Sequence, residues 1–263
     1  MNMTPLETVT AVYFSATGTS KRGAEAVADA LSSALKSARQ TMDLTRFDAA
    51  PARTHFGPGE LVVFGAPVYG GRIYRGAAER FRRLKGEGTP CIVTVTYGNR
   101  DFDDALRELA DLAEEQGFRP VAAAALVGEH TYGEIQKGRP NAGDLAEDRA
   151  FAEQAARKLA AGDLSAPAIP GNFPYKDGGS GGKFFPRAAE NCTGCGLCAR
   201  ECPEGAIDPE KGFAADPARC ISCFRCVRLC PAGARRMDDP AYLEFAAAFT
   251  KRLAQRKENR YFL

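Results

Sequence analysis

Eight cysteines crowd between Cys192 and Cys230 and fall into two matching series. The first runs Cys192-x2-Cys195-x2-Cys198-x3-Cys202-Pro203, and the second runs Cys220-x2-Cys223-x2-Cys226-x3-Cys230-Pro231. Each proline is followed shortly by a Gly-Ala pair, Gly205-Ala206 and Gly233-Ala234, so the segment is an internal duplication. A disulfide framework needs an oxidising compartment, to which nothing in the sequence points, and the total of nine cysteines is odd. A zinc site takes four ligands and has no use for the rest of so ordered a series. Iron–sulfur ligation uses all of it. Three closely spaced thiolates on a tight loop reach three corners of one 4Fe–4S cubane, while the fourth, beyond a short turn, points away and caps another. Cys192, Cys195, Cys198 and Cys230 are therefore expected to hold one cluster, and Cys220, Cys223, Cys226 and Cys202 a second. Small residues in the loops (Thr193, Gly194, Gly196) let backbone N–H groups approach the sulfurs and tune them. The ninth cysteine, Cys91, lies in the apolar run CIVTV and reads as a small core residue.

The chain before this segment alternates apolar runs with helical patterns. TVTAVYF (8–14), ELVVFGAP (60–67), PCIVTVTY (90–97) and PVAAAALV (120–127) read as strands, with a weaker one, ARQTMDL, at 38–44. Ala24, Val27, Ala28, Leu31 and Leu35 recur at helical spacing, as do Leu106, Leu109, Leu112 and Ala113 within 101–117. A further helix is expected over 144–162. Five strands alternating with helices predict an α/β fold, a doubly wound parallel sheet, over residues 1–163. LSAPAIPGNFPYKDGGSGGKFFPR has no period and is rich in Pro and Gly, so 164–187 reads as a linker. The cysteine module follows over 188–240, and residues 241–263 read as a C-terminal helix. With a net charge of +2, the chain lacks the basic excess of a protein held to nucleic acid by charge. There is no apolar run long enough to span a membrane, and the N-terminal stretch does not read as a signal peptide. A cytoplasmic location is the expectation.

Ligands of an open parallel sheet sit at the carboxyl ends of its strands. After the first strand comes Ser15-Ala16-Thr17-Gly18-Thr19-Ser20. It is neither a G-x-G-x-x-G dinucleotide turn nor a P-loop. It is a hydroxyl-rich turn opening a helix, and Ser15, Thr17, Gly18, Thr19 and Ser20 can hold a phosphate without a lysine. Here the chain resembles flavodoxin, whose similar loop wraps the FMN phosphate. Two further stretches carry that resemblance: Pro67-Val68-Tyr69-Gly70-Gly71-Arg72, and Thr96-Tyr97-Gly98-Asn99-Arg100-Asp101-Phe102. Flavodoxins place loops against the flavin ring at both positions. The resemblance implies strand order 2-1-3-4-5, stacking of Tyr69 or Tyr97 on the ring, and ring-edge hydrogen bonds from backbone near Gly70–Gly71 and Gly98–Asn99. The basic cluster Arg72, Arg75, Arg80, Arg82, Arg83 and Lys85 reads either as a solvated helix face or as placing Arg72 or Arg75 near the ring, where a cation raises its potential. His130, in the long stretch 128–143, is the histidine to watch.

The cysteine module resembles bacterial two-cluster ferredoxins, with an α+β fold. The whole of 1–240 is similar to EFR-type ferredoxins, flavodoxin–ferredoxin fusions of anaerobic bacteria and archaea. Free ferredoxins of this kind tend to be acidic, whereas Arg200, Arg219, Arg225, Arg228, Arg235 and Arg236 balance the acids here. The resemblance implies two 4Fe–4S clusters and FMN, and an electron carrier working with ferredoxin-, flavodoxin- or reductase-type partner proteins. A flavin-dependent oxidoreductase acting on a small organic substrate, through His130, Tyr132 or Arg100, stands as the alternative.

Overall fold

The computed structural model describes residues 5–178 and 182–263. Residues 1–4 of the predicted first domain and 179–181 of the predicted linker lie outside the described residues. The elements of the first domain are β1 (Thr8–Tyr13), α1 (Thr19–Leu35), β2 (Ala38–Asp43), β3 (Glu60–Tyr69), α2 (Arg75–Phe81), β4 (Thr89–Tyr97), α3 (Ala105–Glu115), β5 (Phe118–Val127) and α4 (Ala142–Ala160). The five strands are parallel and lie in the order 2-1-3-4-5. This is a flavodoxin-like α/β fold. Alternate residues of β1, β3, β4 and β5 feed two separate cores, as the two-residue pleat requires. Val12, Phe64 and Ala125 face α2 and α3. Ala11, Val63 and Ala124 face α1 and α4. Each fully buried Val, Leu or Phe contributes about 1.5–3 kcal/mol of hydrophobic stabilisation. Cys91 is one of these buried residues, 0% exposed within β4.

The sheet continues past the five strands. Residues 241–263 are not one helix: α7 (Pro240–Arg252) ends, and the chain runs back to form β6 (Arg260–Phe262) antiparallel to β5. β5 is a run of alanines with little side chain of its own, and Tyr261 supplies bulk beside it by stacking on Phe151 of α4 at 5.0 Å. The linker is not loose either. Buried Asp104 accepts from the backbone N–H groups of Asn172 and Lys176, both at 2.8 Å. Tyr175 donates to Asp111 at 2.6 Å, so the segment is fastened along α3.

The cysteine module is built from two short helices, α5 (Leu197–Arg200) and α6 (Arg225–Leu229), and two-residue strand pairs. The Gly-Ala pairs explain themselves here. Gly205 and Gly233 have φ of 55° and 57°, a left-handed turn that glycine adopts without strain. That turn brings Ala206 N–H to Cys202 Sγ and Ala234 N–H to Cys230 Sγ, each at 3.2 Å.

Candidate functional site

A cavity opens at the carboxyl ends of β1, β3 and β4, enclosing about 950 Å³ with its mouth included. Its interior without the mouth is about 240 Å³, a little below the roughly 300–1,000 Å³ of small-molecule sites. The hydroxyl-rich turn forms one end through Thr17, Thr19 and Ser20. The N-cap of α1 is Gly18, which has no side chain to cap with; Ser15 Oγ takes only Lys21 N, and the N–H groups ahead of it have no partner within the helix. Ser20 Oγ is buried without any hydrogen-bond partner. A dianionic phosphate has the charge and the acceptor oxygens that such a terminus and an orphaned hydroxyl call for.

The remaining wall comes from four segments. Pro67, Val68, Tyr69 and Gly70 end β3, and Thr96, Tyr97 and Gly98 end β4. Glu129, His130, Thr131 and Tyr132 follow β5, and Ile221 and Ser222 arrive from the cysteine module. Gly98 is required by close packing: a Cβ there would sit 2.1 Å from Cδ2 of His130. His130 Nδ1 accepts from Tyr132 N at 2.8 Å, which leaves the proton of a neutral imidazole on Nε2. Burial pushes the ring's pKa down to about 4, so His130 is neutral at physiological pH.

Several residues expected at the site have other work. Ser15 accepts from Lys21 N at 3.0 Å inside the first turn of α1. Gly71 packs against Asp103. Asn99 donates to the carbonyls of Leu253 at 2.8 Å and Gln255 at 2.7 Å, which pins the chain between α7 and β6. Arg100 pairs with Asp103. Asp101 accepts from Phe102 N at 2.8 Å and faces Lys257 Nζ at 3.4 Å. Tyr97 is 4% exposed, and its hydroxyl is directed at Glu258 O. Arg72 does not turn to the cavity: it forms a two-pronged pair with Glu108 and lies over the Tyr175 ring. Arg75 pairs with Glu79 on the outer face of α2. Glu129, Thr131, Ile221 and Ser222 were not singled out by sequence reasoning. The length of 128–143 was a signal for the first two; no local signal exists for the last two, because only the docking of the module brings them there.

The cysteines surround two separate voids. Cys202, Cys220, Cys223 and Cys226 ring one of about 360 Å³, and Cys192, Cys195, Cys198 and Cys230 ring another of about 320 Å³, mouths included. Each of Cys202 and Cys230 thus faces the void of the other half. Among the described residues no three His, Cys, Asp or Glu side chains converge closely enough to hold a single metal ion. Burial opposes ionisation of Cys230, yet the N–H groups of Ala234, Arg235 and Ala232 outweigh it and hold the thiol below its usual range. The cysteines of the two voids differ in exposure. Cys192 and Cys195 are exposed, whereas Cys223 is buried in the core of the first domain. Ile221 borders both the void beside Cys223 and the large cavity.

Residues 191–234 match the 4Fe-4S dicluster domain family. Among solved structures, a flavodoxin from the domain Archaea is 18% identical, over 58% of this chain and 99% of its own, with a TM-score of 0.41. Megasphaera elsdenii flavodoxin is 17% identical, over 57% and 98%, with a TM-score of 0.37. A variant of the Pseudomonas aeruginosa flavodoxin is 17% identical, over 58% and 99%, with a TM-score of 0.40. No curated protein matches the chain. Among the described residues, no helix is long and apolar enough to cross a membrane.

Proposed function

We propose that this chain is an iron–sulfur flavoprotein that carries electrons between redox partner proteins, with FMN in the large cavity and a 4Fe–4S cluster in each cysteine-lined void. The observation that carries this reading is the order of the three spaces: a void with exposed Cys192 and Cys195, a second that includes buried Cys223, and a cavity that shares Ile221 with the second. FMN, when bound, supplies two electrons in single steps, and each cluster handles one. The protein's residues do the rest. Thr17, Thr19 and Ser20, with the free N–H groups of α1, hold the phosphate. Pro67–Gly70 and Thr96–Gly98 border the ring, and Tyr132 and Ile221 wall it from solvent. Covalent joining and docking keep the centres together at high effective concentration.

In this reading a partner of ferredoxin, flavodoxin or reductase type meets the face bearing Cys192 and Cys195, inside the cell and under anaerobic conditions, as in the EFR-type fusions the chain resembles. The polar wall of Glu129, His130 and Thr131 supports a second reading, in which a small organic substrate also enters the cavity. Iron and flavin content per chain after anaerobic purification tests the proposal. About eight irons and one FMN are expected. Eight irons with no flavin, even after FMN is offered, would leave a ferredoxin with a docking domain. Saturable turnover of a small oxidant, lost in His130→Ala, would favour the second reading.

A further inference from the structure

Among the described residues, Arg235 is the buried cation without a carboxylate partner. It is 3% exposed and stands in the wall of both cysteine-lined voids at once. Its Nη1 donates to Phe213 O and its Nη2 to Pro186 O, each at 2.6 Å. Nη2 also lies 3.9 Å from Cys226 Sγ. Its Nε–H is buried with no partner. None of these partners is a carboxylate. A guanidinium does not shed its proton to escape burial, so a buried, unpaired cation with an orphaned donor is strongly unfavourable until an anion arrives.

The duplication shows that this is no general demand of the module. Two residues past Gly205 the first half carries Ile207, and two residues past Gly233 the second half carries Arg235. Both open a two-residue strand in equivalent pairings, Ile207 with Ala215 and Arg235 with Ala188. The same backbone position therefore accepts an apolar side chain in one half and a buried cation in the other. The missing anion has to be reachable from both voids. Four cysteine sulfurs surround each, and a cluster held by four thiolates is negative in both of its ordinary redox states.

We propose that Arg235 is a shared counter-ion of two iron–sulfur clusters, a positioning residue that sets both of their potentials. This rests on the reading of the voids as cluster sites. A fixed cation in a low-dielectric interior favours the more negative, reduced form of each neighbour. Its removal lowers both potentials, and most at the Cys202–Cys226 set, where a sulfur lies 3.9 Å from the guanidinium.

The test uses the full chain, loaded anaerobically with iron and sulfide, as wild type, Arg235→Lys and Arg235→Gln. Iron content is measured first, and then the midpoint of each cluster by redox titration followed by electron paramagnetic resonance. The Lys variant is expected to hold the wild-type iron content with both midpoints close to wild type. The Gln variant is expected to show both midpoints shifted to more negative values, or to lose iron that the Lys variant keeps. The proposal is overturned if the Gln variant leaves both midpoints unchanged, if only one cluster moves, or if Lys and Gln behave alike. Lys and Gln alike would mean that the carbonyl bonds, not the charge, are what matters. A wild-type chain with no iron–sulfur signal would sink the cluster reading itself.

Discussion

A hydroxyl buried without a partner is unfavourable by about 1–3 kcal/mol, and Ser20 is such a hydroxyl in the first turn of α1. The flavin-free protein carries this penalty for an interaction it does not make by itself. Ser20→Ala therefore separates stability from binding. The flavin-free variant is expected to melt at or above the wild-type temperature. Its FMN affinity is expected to fall about 10–100-fold, the value of a hydrogen bond to a charged group. Calorimetry of the flavin-free chain and fluorescence titration with FMN read the two effects. A less stable variant with unchanged affinity would place the hydroxyl in the fold and not in the phosphate site. His130 shows the same economy in a different form: accepting from Tyr132 N leaves its Nε2–H as the free donor beside Gly98.

At the scale of elements, α4 and β6 meet over a buried acid. Asp148 is 1% exposed, and its Oδ1 accepts from Tyr261 at 2.8 Å and faces Asn259 Nδ2 at 3.4 Å. Burial first, then the nearby Asp144 and Glu147, push its pKa up to about 7 against the opposing Tyr261 bond. An unfolded aspartic acid titrates near 3.9, so between about pH 4 and 7 the native state holds a proton that the unfolded chain has released. The stability this represents is complete below pH 4 and is lost as pH rises through 7. Asp148→Asn keeps an acceptor for Tyr261 and removes the titration. It is expected to match the wild type near pH 4 and to exceed it by about 2–4 kcal/mol at pH 8. Urea unfolding at the two pH values decides, and an equal difference at both would refute the argument. The neighbouring buried pair, Arg139 with Asp144 at 2.6 Å, adds a second tie to this end of the chain, because Arg139 also donates to Lys257 O at 2.7 Å.

The whole molecule is held together by arginines that cross from one domain to the other. Arg80 of α2 donates to Pro203 O at 2.7 Å, Arg225 of α6 to Ala16 O at 3.1 Å, and Arg228 pairs with Glu129 at 2.8 Å. Two of the three reach segments next to the large cavity, so docking of the cysteine module and the shape of that cavity are one structure. Arg80 is 9% exposed and its loss leaves a buried carbonyl unpaired, which destabilises by about 1–3 kcal/mol. Arg80→Ala is expected to turn a single cooperative thermal transition into two, with the cysteine module releasing first, as scanning calorimetry would read. One undivided transition at the wild-type temperature would show that the clasp is dispensable.

How much of this was legible beforehand follows the range of the interactions. The strands at 8–14, 60–67, 90–97 and 120–127 are β-branched or apolar runs whose signal is local, and their alternation with helices predicts a parallel sheet; their order came only from the resemblance to flavodoxin. The duplicated cysteine spacing is local too, and it implied the exchange of Cys202 and Cys230 between halves before any coordinate did. β6 was not legible, because three residues carry no period. Nor were the roles of Asn99, Arg100, Asp101 and Arg72: each is polar and sits at or beside a strand end, and which partner such a side chain takes depends on what else arrives there. Leu253, Gln255 and Lys257 reach Asn99 and Asp101 from more than 150 positions away in the chain, and Glu108 claims Arg72 from the facing helix. The amino-acid sequence by itself determined the layers and the duplicated cysteine spacing, since periodicity and spacing are properties of neighbours. Only the tertiary structure decided the depth of each site, the wall that Ile221 and Ser222 add to the cavity, and the burial of Arg235 between two rings of sulfur. Burial and charge pairing are properties of what packs across the chain, and packing exists only once the chain has folded.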